Sequence, residues 1–293
     1  MSFFLAVLTG GLLSGVMYAL VALGFVLIYK ASGVLNFAQG SMLLFAALTY
    51  VSLVEHGLPV WLAVLVTLLA LILLGSAIER FVLRPLIGRP SIVLFMATLG
   101  VSYFIEGASQ LVWGSDVHAL SLGISDSPVS LGGVLVSRLD LVAAAVAGVL
   151  VTVLALFFQY TPAGLAFRAV ADDQRAALAI GLRLTRIWAL VWAVAGGVAL
   201  VAGLLWGARL GVQFSLSLVV LRALPVLVLG GFGSIPGAIA GGLLIGAAEK
   251  LAQVYLGDVL GNGIESWFAY VLALVVLLIR PNGLFGGGTT QRV

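Results

Sequence analysis

Long apolar stretches without charge alternate with short polar segments along this chain. Measured from one charged residue to the next, eight stretches are candidates for membrane spans: 1–29, 31–54, 56–78, 90–105, 141–167, 187–208, 223–248 and 266–279. A helix needs about 20 mostly apolar residues to cross roughly 30 Å of hydrocarbon. The stretches do not alternate apolar and polar residues as membrane barrel strands do. The pattern therefore predicts an all-α, polytopic helical membrane protein with about eight spans.

A first interruption, "GVLNFAQG" at residues 33–40, is uncharged and falls between two apolar runs. Only 14 residues separate Gly40 from Glu55, which is about 21 Å of helix. Part of the interruption is therefore predicted to lie inside the membrane, as a broken helix. The alternative is a plain cytoplasmic turn. Broken helices near the midplane often form transport sites, so we expect the Asn36 and Gln39 side chains to face a translocation path.

A second interruption, "GGFGSIPG" at residues 230–237, divides the segment 223–257. The segment has 35 residues, about 52 Å of helix, which is long for one crossing and short for two. It is predicted to form two shorter helices that enter the membrane and return. As the counterpart of the first break, it adds Gly231, Gly233 and Pro236 to the candidate path.

Composition leaves lipid as the only suitable solvent. The chain is 62% hydrophobic and 9% charged, whereas a soluble domain carries about 25% charged residues. There is no cysteine, which excludes disulfide and thiolate chemistry. No catalytic or metal-ligand constellation stands out, so neither an enzyme nor a cofactor is expected. The net charge of +3 reflects basic loops on one side of the membrane and does not indicate a nucleic-acid partner.

The basic residues predict the orientation. They gather in the loops 79–90 and 168–186, which are therefore expected in the cytoplasm. The acidic segment 114–138 is expected outside. The N-terminus then lies outside and the C-terminus in the cytoplasm, and the whole chain, 1–293, is predicted to form a single transmembrane domain.

Regularly spaced glycines are candidates for helix packing, and one charged residue in an apolar region is a candidate for a functional or structural role. Glycines recur at four-residue spacing, which lets helix backbones approach closely in lipid: Gly11 and Gly15, Gly207 and Gly211, Gly237 and Gly241, and Gly242 and Gly246. Glu106 follows 16 uncharged residues and is predicted to lie about 10 Å below the interface. It is either a functional group of the path or the structural partner of Arg209 or Arg222.

The segment 164–186 is the candidate docking site for an energy-supplying partner. The chain lacks the phosphate-binding pattern Gly-x-x-x-x-Gly-Lys-[Ser/Thr], so it cannot hold ATP by that route. Two aspartates are expected to cap a short helix, two alanines to keep it thin, and a glycine to end it. The proposed docking residues are Arg168, Asp172, Asp173, Arg175, Ala176, Ala177 and Gly181. The alternative is an ordinary cytoplasmic loop.

Several of these stretches together resemble a known family. "GGLLSGVMYALVALGFVLIYKASGVLNFAQGSMLLFAA", "TLGVSYFIEG", "GLAFRAVADDQRAALAIG" and "VLGGFGSIPGAIAGGLLIG" are similar to the permease subunits of branched-chain amino acid ABC importers, in the shorter of their two types. The resemblance covers roughly residues 8–285. Many ABC importer permeases carry Glu-Ala-Ala-x-x-x-Gly in the loop that docks the ATPase. Arg175 stands here in place of the glutamate, a departure that is typical of the branched-chain subfamily.

The resemblance implies a bacterial inner-membrane subunit that carries branched-chain or other hydrophobic amino acids. It implies a second homologous permease subunit, two cytoplasmic ATPase subunits and an external substrate-binding protein. Two alternatives stay open: the same architecture for urea or short amides, and a self-sufficient ion-coupled carrier. The capped loop favours the importer, because a self-sufficient carrier needs no docking surface. The solute itself is not readable from the chain, since specificity in such importers rests largely with the binding protein.

Overall fold

The computed structural model describes residues 2–124, 127–131, 134–261 and 263–286, which are mostly helical. The helices are α1 Ser2–Ser32, α2 Ala38–Glu55, α3 Val60–Ala77, α4 Ser91–Trp113, α5 Arg138–Tyr160, α6 Pro162–Asp172, α7 Gln174–Ala179, α8 Leu184–Leu210, α9 Val219–Gly230, α10 Ile235–Leu260 and α11 Ile264–Ile279. A π-helical turn, Ile78–Leu83, continues α3, and 3₁₀ turns cover Arg84–Leu86 and Phe214–Leu218. The strands β1 Pro128–Leu131 and β2 Val134–Ser137 form an antiparallel pair.

The predicted class is confirmed. Among the described residues, seven helical segments are long and apolar enough to span a membrane, and two shorter apolar helices cover Phe214–Gly230 and Trp267–Ile279. The uncharged stretch 141–167 is not one element, however. It ends at Tyr160, and Pro162 starts the separate helix α6, which the Thr161 hydroxyl caps by accepting a hydrogen bond from the Gly164 amide at 3.0 Å.

The chain divides into two compact units. The first comprises Met1–Val26, Gly123–Val149 and Leu221–Val293, and the second Leu27–Leu122 and Leu150–Val220. The helices α1, α5 and α9 each contribute residues to both units, α9 only its first two residues to the second. The single-domain organisation stays a prediction.

Helix contacts of the first unit show the direction of the segment 223–257. A Cβ on Gly241 would lie 2.7 Å from the Val226 carbonyl oxygen, and Gly237 meets Gly230 directly. These pairs make α9 and α10 an antiparallel hairpin. The predicted pair of helices that enter and return is therefore confirmed in direction. The prediction that both helices are short is wrong, because α10 has 26 residues and is about 39 Å long.

Glycines also join α10 to the N-terminal part of α1. A Cβ on Gly15 would lie 2.5 Å from the Gly242 carbonyl oxygen, and one on Gly11 would lie 2.7 Å from that of Gly246. The pairing is antiparallel, and it uses two of the predicted glycine pairs as packing surfaces. The pair Gly207 and Gly211 has another role, because Gly211, with φ +78°, ends α8.

The helix α11 runs parallel to α9. The Tyr270 hydroxyl donates to the Leu221 carbonyl at 2.8 Å, and the Leu284 amide donates to the Leu229 carbonyl, also at 2.8 Å. Within the first unit, α9, α11 and the N-terminal part of α1 therefore run in one direction and α10 runs in the other. The predicted sides of the two chain ends stay a prediction, and Arg292 lies outside the described residues.

In the second unit, α2 packs against α3, α4 and α8. Glycines again allow close approach: a Cβ on Gly203 of α8 would lie 2.5 Å from the Leu43 carbonyl oxygen of α2, and one on Gly75 of α3 would lie 2.9 Å from that of Trp192. These contacts hold the start of α2, and with it the first break, among three helices.

Candidate functional site

The first break is present where the sequence predicts it. The helix α1 ends at Ser32, and Gly33 turns the chain with φ +73° while its amide donates to the Tyr29 carbonyl at 2.7 Å. Glycine is favoured at such a left-handed position after a helix. The next helix begins at Ala38, so a few residues of non-helical backbone precede Asn36 and Gln39.

Asn36 is fully buried in this break. Its Oδ1 accepts a hydrogen bond from the Ala38 amide at 3.1 Å, which fixes the orientation of the side-chain amide because only the oxygen can accept. Its Nδ2 is buried and has no hydrogen-bond partner among the described residues. Asn36 therefore holds the start of α2 and also presents an unused donor.

Gln39 lies in the first turn of α2 and is equally buried. Its Nε2 donates to the Ala195 carbonyl of α8 at 3.4 Å. Its Oε1 is buried without a partner in the described part of the chain. The two amides thus leave one donor and one acceptor unsatisfied.

Thr98 of α4 satisfies the backbone of the break, and sequence reasoning missed it. Its hydroxyl lies 3.2 Å from the Leu35 carbonyl and 2.9 Å from the Phe95 carbonyl, and it accepts from the Phe37 amide at 3.4 Å. A threonine within an apolar helix gives no signal of such a contact. The break is therefore fixed by groups from α4 and α8.

A small pocket adjoins the break on its α1 side. We name it the Trp188 pocket, and its apolar lining consists of Ile28, Val34, Leu83, Leu94, Trp188 and Trp192. Ser32 and Thr98 complete the lining. The Trp188 Nε1 is buried and has no partner among the described residues, so it is a second unused donor.

These unsatisfied groups set the chemistry of the site. An unsatisfied buried polar group costs about 1–3 kcal/mol, and native proteins rarely leave such groups without water or a ligand. The donors are Asn36 Nδ2 and Trp188 Nε1, and the acceptor is Gln39 Oε1. None of the three side chains is charged. The site can therefore bind a polar solute without holding it by a full ion pair.

Glu106 lies apart from these groups. It is on α4, eight residues beyond Thr98, about 12 Å along the axis, and it is partly buried. No described ion pair involves it. The ion pairs of Arg222 are instead with Glu249, at 3.7 Å, and Glu265, at 3.9 Å.

The second break is a packed turn of the first unit. Gly231 has φ +96°, and a Cβ there would lie 2.8 Å from the Gly286 amide. The Ser234 hydroxyl caps α10 by accepting from the Gly237 amide at 3.0 Å. Pro236 lies in the first turn of α10, where its missing N–H costs nothing. Gly233 and Pro236 are exposed, and these residues belong to the first unit whereas Asn36 belongs to the second.

The candidate docking loop contains a short helix with both ends capped. Asp173 Oδ1 accepts from the Ala176 amide at 3.1 Å. At the other end Gly181, with φ +86°, donates to the Leu178 carbonyl at 3.0 Å, and Leu182 donates to that of Ala177 at 3.1 Å. This pair of bonds is a Schellman motif. The predicted roles of Asp173 and Gly181 in capping are confirmed.

Other predictions for this loop need correction. Asp172 does not precede the short helix as a cap, because it is the last residue of α6. Ala177 is only 2% exposed, so its methyl group packs inside the chain and cannot enter a partner's groove. The exposed apolar side chains are Leu178 and Ile180, at 54% and 74%. Ala176 is exposed.

Two arginines complete the docking candidates. Arg168 of α6 donates from a terminal guanidinium nitrogen to the Gln159 carbonyl at 3.1 Å, so it joins α6 to the end of α5. The Arg175 side chain lies outside the described part of the structure.

A buried polar cluster in the first unit was not predicted. The Tyr18 hydroxyl donates to Glu249 Oε1 at 3.1 Å, and Arg222 donates to the Tyr18 oxygen at 3.4 Å. With Glu265, these residues join α1, α9, α10 and α11. A charged residue inside an apolar helix is the available signal. In the sequence, Glu249 was taken only as the end of an uncharged stretch and Arg222 as a possible partner of Glu106.

Comparison with known proteins identifies the family. Residues 7–280 match the family model described as branched-chain amino acid transport system / permease component. The chain is 33% identical to the high-affinity branched-chain amino acid transport system permease protein BraD of Pseudomonas aeruginosa, over 99% of this chain and 98% of BraD. It is 30% identical to the corresponding protein LivH of Escherichia coli, with the same coverage.

More distant similarity reaches other proteins. The ribose import permease protein RbsC of Haemophilus influenzae is 24% identical over 89% of this chain and 79% of RbsC. In structure, the chain is similar to PsaBC from Streptococcus pneumoniae, solved in complex with Fab, with a TM-score of 0.51, 13% identity and coverage of 94% and 92%. That likeness concerns the fold alone. By the match of its length and of its sequence, this chain belongs to the family of permease components of branched-chain amino acid transport systems.

Proposed function

We propose that this chain is a permease subunit of an ATP-driven importer and forms part of the translocation path for branched-chain or other hydrophobic amino acids. Family membership and the full-length similarity to BraD and LivH support the class. The observation that carries the path is the buried pair Asn36 and Gln39, each with an unused polar atom at a helix break.

The amides suit a zwitterion that must be released again. An amino acid presents acceptors on its carboxylate and donors on its ammonium group. The Asn36 Nδ2 can donate to the first, and the Gln39 Oε1 can accept from the second. Because both groups are neutral, neither forms a full ion pair that would trap the solute. A weak site of this kind suits an importer that receives its solute from a binding protein.

In the proposed assembly, partner subunits supply the ATP hydrolysis, the second half of the path and the solute delivery that this chain does not provide. Two ATPase subunits dock on the cytoplasmic side, a second homologous permease subunit completes the path, and an external binding protein delivers the solute. The N-terminus lies outside and the C-terminus in the cytoplasm of a bacterial inner membrane. Support for the orientation comes from the basic loops and from the parallel course of α11 and the start of α1.

Replacing either amide by leucine tests the path. Asn36→Leu and Gln39→Leu should each lower amino acid uptake by at least tenfold in reconstituted complexes, because the polar groups that replace the solute's hydration are lost. Assembly and the affinity of the binding protein should not change. The matched control is Thr49→Val on α2, whose hydroxyl donates to the Phe45 carbonyl of its own helix and makes no other hydrogen bond within the described residues. Full uptake by both leucine variants would refute the path.

Docking of the ATPase is proposed on the exposed face of α7 and the turn that follows. Leu178 and Ile180 provide an apolar surface there, and the caps at Asp173 and Gly181 hold it in place. Exposed apolar side chains on a capped six-residue helix are typical of an interaction surface and exceed what membrane orientation requires.

A charge on this surface should separate the ATPase from the permease. Ile180→Asp is expected to weaken ATPase association at least tenfold, because a carboxylate in a closed apolar interface loses its hydration. Co-purification and ATPase stimulation by the binding protein measure the effect. Val117→Asp is the control, since Val117 is similarly exposed, at 64%, in the segment predicted outside. Equal co-purification of both variants would count against this docking surface.

A further inference from the structure

We infer that the Arg222 cluster, which consists of Tyr18, Arg222, Glu249 and Glu265, borders a water-filled space at membrane depth, and that this space belongs to the translocation path. The inference rests on the proposed function and deepens it. It assigns a charged face of the first unit to the path, and it states what covers that face: water, and neither lipid nor another subunit.

The cluster lies near the middle of two long helices. Tyr18 is 16 residues after the first residue of α1 and 14 before the last, about 24 Å and 21 Å along the axis. Glu249 is 14 residues after the first residue of α10 and 11 before the last, about 21 Å and 16 Å. Both helices contain segments long and apolar enough to span a membrane. The cluster is therefore at membrane depth, whichever side the chain ends face.

Two contacts hold the Arg222 guanidinium at this depth. Its Nη1 donates to the Tyr18 hydroxyl at 3.4 Å and lies 3.7 Å from Glu249 Oε1. The side chain cannot extend to the membrane surface, as basic side chains near helix ends do, without losing both contacts. The Arg222 side chain is nevertheless 44% exposed, and that of Glu265, whose Oε2 lies 3.9 Å from the same nitrogen, is 33% exposed. Two charged groups thus have a free side inside the membrane.

Lipid is unsuitable as the neighbour of this free side. Charged side chains within membrane helices face the interior of the protein or a water-filled cavity, because hydrocarbon replaces none of their hydration. The guanidinium has five N–H donors, and its hydrogen bonds within the described part of the chain use one of them, at Tyr18. Water can satisfy the remaining donors, whereas hydrocarbon satisfies none.

Two buried oxygens of α10 also indicate water. Glu249 Oε2 and Gln253 Oε1 are buried, and neither has a hydrogen-bond partner among the described residues. They are four positions apart on one helix and therefore on the same face, and both atoms are acceptors. The Glu249 side chain is only 5% exposed. Buried acceptors without a protein donor are usually bound to ordered water, so the hydrated region extends inward from Arg222.

The charges of the cluster disfavour a closed contact with a second subunit. Such a contact would bury one cation and two carboxylates, and the desolvation of these groups can exceed the gain from their attraction. A water-filled space leaves Arg222 and Glu265 hydrated and keeps the face open to a polar solute. Of the three possible neighbours, water is therefore the one that the contacts and charges favour.

Single cysteines test the contact with water, since the chain has none of its own. Leu221→Cys and Glu265→Cys place thiols beside Arg222. Val149→Cys is the control, because Val149 is 64% exposed and lies midway along α5. In the complete complex, the thiols at 221 and 265 should react with a charged methanethiosulfonate at least tenfold faster than the thiol at 149. After denaturation all three should be labelled equally.

Transport by the labelled complex tests whether the water belongs to the path. The charged adduct on Leu221→Cys should lower amino acid uptake at least tenfold, because it fills the space through which the solute passes. The subunits should stay assembled. The unlabelled Leu221→Cys complex is the control, and removal of the adduct with a reductant should restore its uptake.

Every other outcome overturns the inference. Equal rates at the three positions would mean that the cluster is no more hydrated than the middle of α5. Slow reaction at 221 and 265, with cross-linking of these cysteines to the second permease subunit, would mean that protein covers the face. Fast reaction with full uptake after labelling would place the water outside the path. The proposed function fails by a separate result, which is that the unmodified complex transports no amino acid.

Discussion

Replacing Arg222 by methionine should strongly destabilise the assembled protein. Arg222 lies 3.7 Å from Glu249, whose side chain is only 5% exposed, and it also donates to Tyr18. Removing the cation leaves the carboxylate buried and unpaired, and breaking such a pair costs about 3–5 kcal/mol. The Arg222 side chain is 44% exposed, which places the expected loss near the lower end, about 3 kcal/mol.

The thermal midpoint of the purified complex and the yield of folded protein measure this loss. Glu249→Gln alone should cost less, because Arg222 keeps Glu265 within 3.9 Å. Arg222→Met combined with Glu249→Gln should recover part of the stability lost in Arg222→Met. Lys250→Met is the control, since it removes a cation next to Glu249 that makes no described ion pair. If the stability losses of the two single variants simply add in the double variant, the buried pair is not the cause of the destabilisation.

Gly15→Val is the second change with a large expected effect. A Cβ at Gly15 would lie 2.5 Å from the Gly242 carbonyl oxygen and 2.9 Å from the Leu243 Cα. Both atoms are backbone, so neither can move aside by a change of rotamer. The helices α1 and α10 must separate, and overpacking of this kind costs about 1–3 kcal/mol or more. We expect a value at or above the upper end, with loss of the contact at Gly11 as well.

Gly10 provides a matched control on the same helix. A Cβ there has nothing within 4 Å, so Gly10→Val makes the same chemical change without a clash. Folded yield and thermal midpoint should fall sharply for Gly15→Val and little for Gly10→Val. Equal stability of the two variants would mean that the close approach of α1 and α10 does not support the fold.

The sequence predicts those helix ends and breaks that are set by residues within a few positions of them. The break after α1 follows from Gly33 and the amides beyond it, and the ends of α7 follow from Asp173 and Gly181. Each of these residues acts on backbone within a few positions of itself. Four-residue glycine spacing likewise marks packing surfaces, although it does not say that Gly11 and Gly15 face Gly246 and Gly242.

Features that depend on distant partners were missed or wrong. The segment 223–257 was predicted to form two shorter helices, whereas α10 alone has 26 residues. It runs through Glu249, whose carboxylate is bound by Arg222 and Tyr18 from other helices. The helix α6 was hidden in an apolar run. Thr98 and Trp188 join the candidate site through contacts across more than 60 residues of chain, for which periodicity gives no signal.

The pairing of α1 with α10 also sets an order of events during synthesis. Tyr18 and Glu249 are separated by 231 residues, and a ribosome adds about 5–20 residues per second. Roughly 10–50 s therefore pass between the emergence of the glycine face of α1 and that of its partner on α10. During that interval the face that includes Gly11 and Gly15 is open to other helices or to membrane insertion factors, so the first unit can be completed only after α10 has been synthesised.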